Sequence, residues 1–163
     1  MIKFLDILKE SDDNIFIPRG SKEEKDKIFI RRTNDKIQEY IRNGSEGGLD
    51  LRNSPIKFLP KNLTKVGGNL ILIRSQIEKL PDNLTVNRTL DLEGCKNLKS
   101  LPNGLKVKGD LDLRDTNITS LPSDLEVGDV LILYRTPIAR MHTEKQIMEM
   151  VPKVERSIFL SPW

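Results

Sequence analysis

From residue 49 onward, leucines recur in pairs with one residue between them: Leu49/Leu51, Leu70/Leu72, Leu90/Leu92, Leu111/Leu113 and Leu131/Leu133. The first four pairs are each followed by a Leu-Pro step, at Leu59-Pro60, Leu80-Pro81, Leu101-Pro102 and Leu121-Pro122, and the prolines stand 21, 21 and 20 residues apart. A fixed period this short predicts stacked repeats, none able to bury its apolar face without a neighbour. Between the landmarks further apolar positions keep step: Ile56, Leu63 and Val66; Ile77, Leu84 and Val86; Leu98, Leu105 and Val107; Ile118, Leu125 and Val127. Two single-residue insertions, near Lys65 and between Cys95 and Leu98, explain the alternating spacing, and both fall outside the paired leucines. In Leu-x-Leu the two side chains share one face of a short strand. Successive repeats therefore predict a parallel sheet. Each return, about 15 residues, is too short to carry a full helix crossover. The Leu-Pro step suits an extended or single-turn return, since proline fixes φ and has no N–H to donate.

The open ends of such a stack need covers. Before Leu49, Thr33 or Asn34 is a candidate helix N-cap, Ile37, Tyr40 and Ile41 follow helical spacing, and Gly44 is a stop. Upstream, Asn14-Ile-Phe-Ile and Lys27-Ile-Phe-Ile flank a charged, Gly-containing turn and predict a hairpin. After the repeats, Thr143 and Gln146 form a capping-box pair, with Ile147, Met148 and Val151 as an apolar face and Pro152 as a stop. Ile158-Phe159-Leu160 then repeats the apolar-x-apolar pattern and predicts a sixth strand, reached through a helix. Met141 stands where the next leucine is due. The expected organisation is an N-terminal cap region over 1–47, about five repeats over 48–141 and a C-terminal cap over 142–163.

The recurring Leu-x-Leu, the polar slot three residues later and the Leu-Pro return resemble the leucine-rich repeat family, over roughly residues 48–141. The phrasing Leu-Pro-x-x-Leu is similar to that of the short bacterial and phage-encoded members. The resemblance implies an α/β fold: a solenoid with a short-strand parallel sheet, an N-terminal helical cap and a C-terminal helix-strand cap. The chain departs from the family at the slot that usually holds Asn or Cys, which here carries Ser54, Ser75, Cys95, Thr116 and Thr136. In the family that side chain bonds backbone groups of adjacent turns, and Ser and Thr hydroxyls have the same capacity.

Composition narrows the function. The net charge of +3 is too mild to imply nucleic acid, and the first 48 residues balance ten basic against ten acidic side chains. No run of about 18 apolar residues marks a membrane span, and the first residues do not read as a secretory signal. We therefore expect a cytoplasmic protein. One cysteine precludes an internal disulfide, and its repeat slot accounts for it. His142, the single histidine, directly precedes the expected C-terminal helix. No Gly-rich phosphate loop, zinc spacing or Ser-His-Asp set is present. The expectation is a non-enzymatic chain without cofactor or metal, monomeric or weakly homodimeric. The Asn-x-Ser/Thr triplets at Asn62, Asn83 and Asn117 read as accidents of an Asn-rich repeat.

Residues between the leucines face the concave surface. They form three columns: Gly48, Asn69, Thr89, Asp110, Val130; Asp50, Ile71, Asp91, Asp112, Ile132; and Arg52, Ile73, Glu93, Arg114, Tyr134. The middle is acidic and the end apolar and aromatic, with Arg135 adjacent. Exposed apolar residues beside Tyr and Arg are typical of interfaces. The expected protein-binding residues are Ile71, Ile73, Asp91, Glu93, Asp112, Arg114, Val130, Ile132, Tyr134 and Arg135. The alternative is that Val130, Ile132 and Tyr134 lie under the C-terminal helix or a dimer partner, and that the acidic column is a solvated face. Metal binding by Asp91, Asp110 and Asp112 is the weaker option, since adjacent strands bring carboxylates together without building a cage.

Phe4, Asp6, Ile7, Leu8, Glu10 and Ser11 resemble the capsid-targeting peptides of large contractile-tailed phages, in which a protease cuts after aliphatic-x-Glu, here Leu8-Lys9-Glu10. An ordinary amphipathic helix has the same spacing. The resemblance implies a phage-encoded module acting on a host or defence protein. The alternatives are a packaged or structural virion protein, or an effector acting inside a host cell.

Overall fold

A computed structural model describes residues 21–160. The chain is an α/β solenoid. Helix α1 (Lys22–Arg42) leads into short strands β1 (Leu49–Asp50), β2 (Lys65–Val66), β3 (Leu70–Ile71), β4 (Thr85–Val86), β5 (Leu90–Asp91), β6 (Lys106–Val107), β7 (Leu111–Asp112), β8 (Glu126–Val127) and β9 (Val130–Ile132). Helices α2 (Pro137–Met141) and α3 (Glu144–Met150) and strand β10 (Ser157–Phe159) close the far end. The odd strands and β10 make a six-stranded parallel sheet, in the order β1-β3-β5-β7-β9-β10. The register pairs Leu49 with Leu70, Leu70 with Leu90, Leu90 with Leu111 and Leu111 with Leu131. The leucine pairs thus stack in columns, and every one of them is buried.

The return is more ordered than an extended or single-turn segment. Its recurring valines, Val66, Val86, Val107 and Val127, lie in register in a second parallel sheet, β2-β4-β6-β8. A two-residue strand has no periodicity of its own to read; it exists because neighbouring turns hold their backbones in register. The core lies between the two sheets. Glycine is required where turns touch: a Cβ on Gly68 would fall 2.7 Å from the Gly47 carbonyl carbon. Three residues after each inner strand the backbone is left-handed in all five turns, at Asn53, Arg74, Gly94, Asp115 and Arg135.

The repeat slot is buried throughout. The Cys95 Sγ donates to the Leu72 carbonyl of the preceding turn at 3.0 Å and sits 3.4 Å from Ser75 Oγ. Burial pushes the Cys95 thiol up, so it stays un-ionised. Thr116 and Thr136 instead bond within their own turns, to the Leu113 and Leu133 carbonyls at 2.7 Å each. Either arrangement satisfies the hydroxyl or thiol, and among the described residues no buried side-chain nitrogen or oxygen lacks a partner.

Both caps form, and the N-terminal one differs from expectation. The N-cap of α1 is Ser21, in a capping box with Glu24, rather than Thr33 or Asn34. Thr33 lies mid-helix, with its hydroxyl donating to the Phe29 carbonyl at 2.9 Å. The Lys27–Ile30 half of the expected hairpin is helical, and its Asn14–Ile17 half lies outside the described residues. A three-residue apolar run is ambiguous between strand and helix; here the capping box and the Glu23–Lys27 pair, 2.9 Å apart, favour the helix. The expected stripe holds: Ile37 is fully buried, and Tyr40 and Ile41 pack on the core. The helix ends in a Schellman turn, Ser45 N–H bonding the Tyr40 carbonyl and Gly44 N–H that of Ile41. The Tyr40 hydroxyl lies 2.8 Å from the Ser45 carbonyl and accepts from Gly67 N–H, tying the helix to the solenoid.

At the C-terminal end, Thr143 and Gln146 form the expected capping box. Ile147 and Val151 are buried, whereas Met148 points to solvent, as does Met141 at the end of α2. Strand β10 pairs with β9 in parallel, Ile158 against Leu131 and Phe159 against Ile132. Val154 extends the second sheet by bridging to Val127. No described helix is long and apolar enough to cross a membrane.

Candidate protein-binding face

The concave columns are built by strand alternation, so each element places its side chains through the register given above. At the N-terminal end the face opens into a groove of about 450 Å³. Gly47, Gly48 and Gly68 line it together with Asp50, Asn69 and Arg88. Ile71 and Ile73 stand half-buried toward this end, so both retain some accessible apolar surface.

The middle of the face is a bonded network. In three turns an aspartate accepts the backbone N–H two residues on: Asp50 from Arg52 at 3.1 Å, Asp91 from Glu93 at 3.1 Å, and Asp112 from Arg114 at 3.0 Å. These turns close the strand ends, which gives the acidic column a structural role. Ile71 and Ile132 occupy the same column and cannot make that bond. Two of the three units are Asp-Leu-Arg, and in both the arginine folds back on its aspartate. Arg114 also reaches the preceding turn: its guanidinium lies 2.6 Å from Asp112 and 2.8 Å from Glu93.

Carboxylate oxygens of Asp91, Glu93 and Asp112 come within 4.8 Å of one another. The trio differs from the expected Asp91, Asp110 and Asp112, because Asp110 accepts the Val130 N–H at 3.1 Å instead. The guanidinium of Arg114 already occupies the cationic position among these oxygens. Arg52 likewise holds Asp50 below the usual carboxylate range, chiefly through its side-chain hydrogen bond. Asp91 is shifted the other way, first by burial and then by the charges of Asp112 and Glu93.

A carboxyl that binds its proton more tightly when folded contributes stability below the ordinary carboxylate range, and loses that contribution as pH rises through its folded pKa. Asp91→Asn keeps the acceptor oxygen and removes the charge. We expect the variant to be more stable than the parent at pH 7, with the difference vanishing near pH 3. Urea unfolding at the two pH values checks this; a variant less stable at pH 7 would contradict the assignment.

The C-terminal end is apolar. Val130, Ile132 and Tyr134 are half-buried on β9 and the turn after it, and Phe159 joins them from β10 at 46 % exposed. Phe159 was not among the residues expected from the sequence as binding. Its spacing in Ile158-Phe159-Leu160 was visible, but its neighbour Ile132 is set only by strand pairing. Arg135 lies beside the patch and is paired with Asp115, its Nε 2.9 Å from the carboxylate, so it borders the apolar surface as a neutralised group. Comparison with protein-family models, curated proteins and solved structures finds no match.

Proposed function

We propose that this chain is a non-enzymatic protein-binding module that engages its partner through the concave face, anchored at Val130, Ile132, Tyr134 and Phe159. The observation carrying this reading is the partial exposure of that apolar and aromatic group at the end of a face whose centre is charged. Large aromatic anchors beside a polar rim are the usual composition of an interface centre. The bonded Asp-Arg units supply a rim whose charges are already matched, and Ile71 and Ile73 offer further contact toward the other end. We read the chain as a short-type leucine-rich repeat protein, phage-encoded and acting on a host or defence protein. That part rests on the Leu-x-Leu and Leu-Pro repeat and on residues 4–11.

The test is paired affinity capture with the parent and an Ile132→Asp/Tyr134→Asp variant, with mass spectrometry of the bound proteins. The variant should lose the partner while keeping its circular dichroism spectrum. Phe58→Asp, at an exposed phenylalanine in a return segment, should keep it. Capture unchanged by the paired substitution would sink the placement.

A further inference from the structure

We propose that the groove at the N-terminal end of the concave face receives the C-terminal carboxylate of a peptide. The groove lies where the backbones of the first two turns meet, lined by Gly48, Gly68 and Asn69, with Arg88 from the third turn. Its place is marked by a gap in the bonding between turns. The residues two before each inner leucine pair, Gly47, Gly68, Arg88, Gly109 and Asp129, hold equivalent positions in successive turns. In the last two of these contacts the N–H bonds the carbonyl of the preceding turn, Gly109 to Arg88 and Asp129 to Gly109, at 3.2 Å each. The first two lack that bond, and the Gly47 carbonyl instead lies 3.0 Å from the Tyr40 hydroxyl. Among the described residues neither Gly48 nor Gly68 makes a hydrogen bond, although Gly68 is buried. Buried backbone groups are nearly always paired. These two glycines therefore leave both donors and acceptors unmatched at the groove.

The surrounding charges select an anion. The Arg88 guanidinium is exposed and makes no hydrogen bond or ion pair among the described residues. Asp50 is the acid among the lining residues, and Arg52 Nε holds its two oxygens at 3.0 and 2.9 Å. Lys36 adds a further cation at this edge, donating to the Asp50 carbonyl at 2.8 Å. Asn69 accepts the Thr89 N–H through Oδ1 at 3.2 Å, which leaves its Nδ2 as a donor. A carboxylate set against Arg88 forms charge-assisted hydrogen bonds. An inorganic anion carries no donor for the Gly48 and Gly68 carbonyls. The last N–H of a peptide supplies one, and its final side chain has the half-buried Ile71 to pack on. Capture of a C-terminal carboxylate by backbone groups is a recurring mode of peptide recognition. The site is distinct from the apolar end of the face at Ile132 and Tyr134, so the two readings fail separately.

The probes are an acetylated peptide ending in Gly-Leu with a free carboxylate, its C-terminal amide twin and inorganic phosphate, each titrated into the ¹⁵N-labelled protein. The free acid should give saturable shifts of the Gly48, Gly68 and Asn69 amide resonances, and the amide twin should bind at least ~10-fold more weakly. Arg88→Gln, at an exposed side chain, should weaken the free acid by a similar factor, whereas Ile132→Asp/Tyr134→Asp should leave its affinity unchanged. The proposal is overturned by an absence of saturable shifts at these glycines, by equal binding of the twins, or by Arg88→Gln binding like the parent. Loss of binding in the Ile132→Asp/Tyr134→Asp variant would overturn the placement, and phosphate saturating the same resonances more tightly than the peptide would overturn the choice of ligand.

Discussion

Leu92→Ala is expected to cost about 2–5 kcal/mol, the range for a large-to-small change at a buried site. Leu92 is fully buried in the central turn, stacked in the inner-sheet column between Leu72 and Leu113. Its neighbours above and below are held by the parallel ladder, Leu72 N–H on the Asp91 carbonyl and Leu92 N–H on that of Asp112, both near 2.9 Å. The walls of the new cavity therefore cannot close without breaking register. A domain of this class has about 5–15 kcal/mol in total, so the shift in denaturation midpoint should be plain. The same change at Leu51 in the first turn should cost less, since only one side of that turn is stacked on another repeat. Urea unfolding of both variants decides it; a loss under about 1 kcal/mol at Leu92 would mean that the column is not packed as described.

Arg114→Ala is expected to cost about 2–3 kcal/mol. Breaking a fully buried ion pair costs about 3–5 kcal/mol, and the estimate is lower here because the Arg114 side chain is 35 % exposed. What remains after the deletion is the Asp112 carboxylate, in a residue only 5 % exposed, facing Asp91 and Glu93 with no cation between them. Asp112→Asn in the same chain should recover more than half of the loss, because it removes the stranded charge. The molecule contains its own control. Arg52 and Asp50 make the same fold-back pair in the first turn, but their side chains are 54 % and 46 % exposed. Arg52→Ala should therefore cost clearly less than Arg114→Ala, since exposed pairs contribute little. Equal losses at Arg52 and Arg114 would remove the argument from burial.

That contrast marks where sequence reading stops. Asp50-Leu51-Arg52 and Asp112-Leu113-Arg114 are indistinguishable as strings. Only stacking decides that one aspartate is open to water and the other enclosed. The bond from Arg114 to Glu93 crosses between turns, and nothing local announces it. The same holds for Phe159, which joins the apolar patch only because β10 pairs with β9 across two intervening helices. The start of α1 is hidden for a different reason: Ile28-Phe29-Ile30 fits either strand or helix over so short a run, and the helix follows from the Ser21–Glu24 capping box and the turns after it.

The amino-acid sequence by itself determined the repeat, its register and the division of residues into inward and outward sets. Those properties follow from period-2 alternation within a strand and a near-constant interval between strands, both local along the chain. It also determined the Thr143–Gln146 cap, whose bonds span three residues. Tertiary structure alone decided the second sheet, the ion pairing and burial of the acidic column and the membership of the apolar patch. Each of these depends on contacts between turns, where burial and neighbouring charge, not residue identity, set the energy.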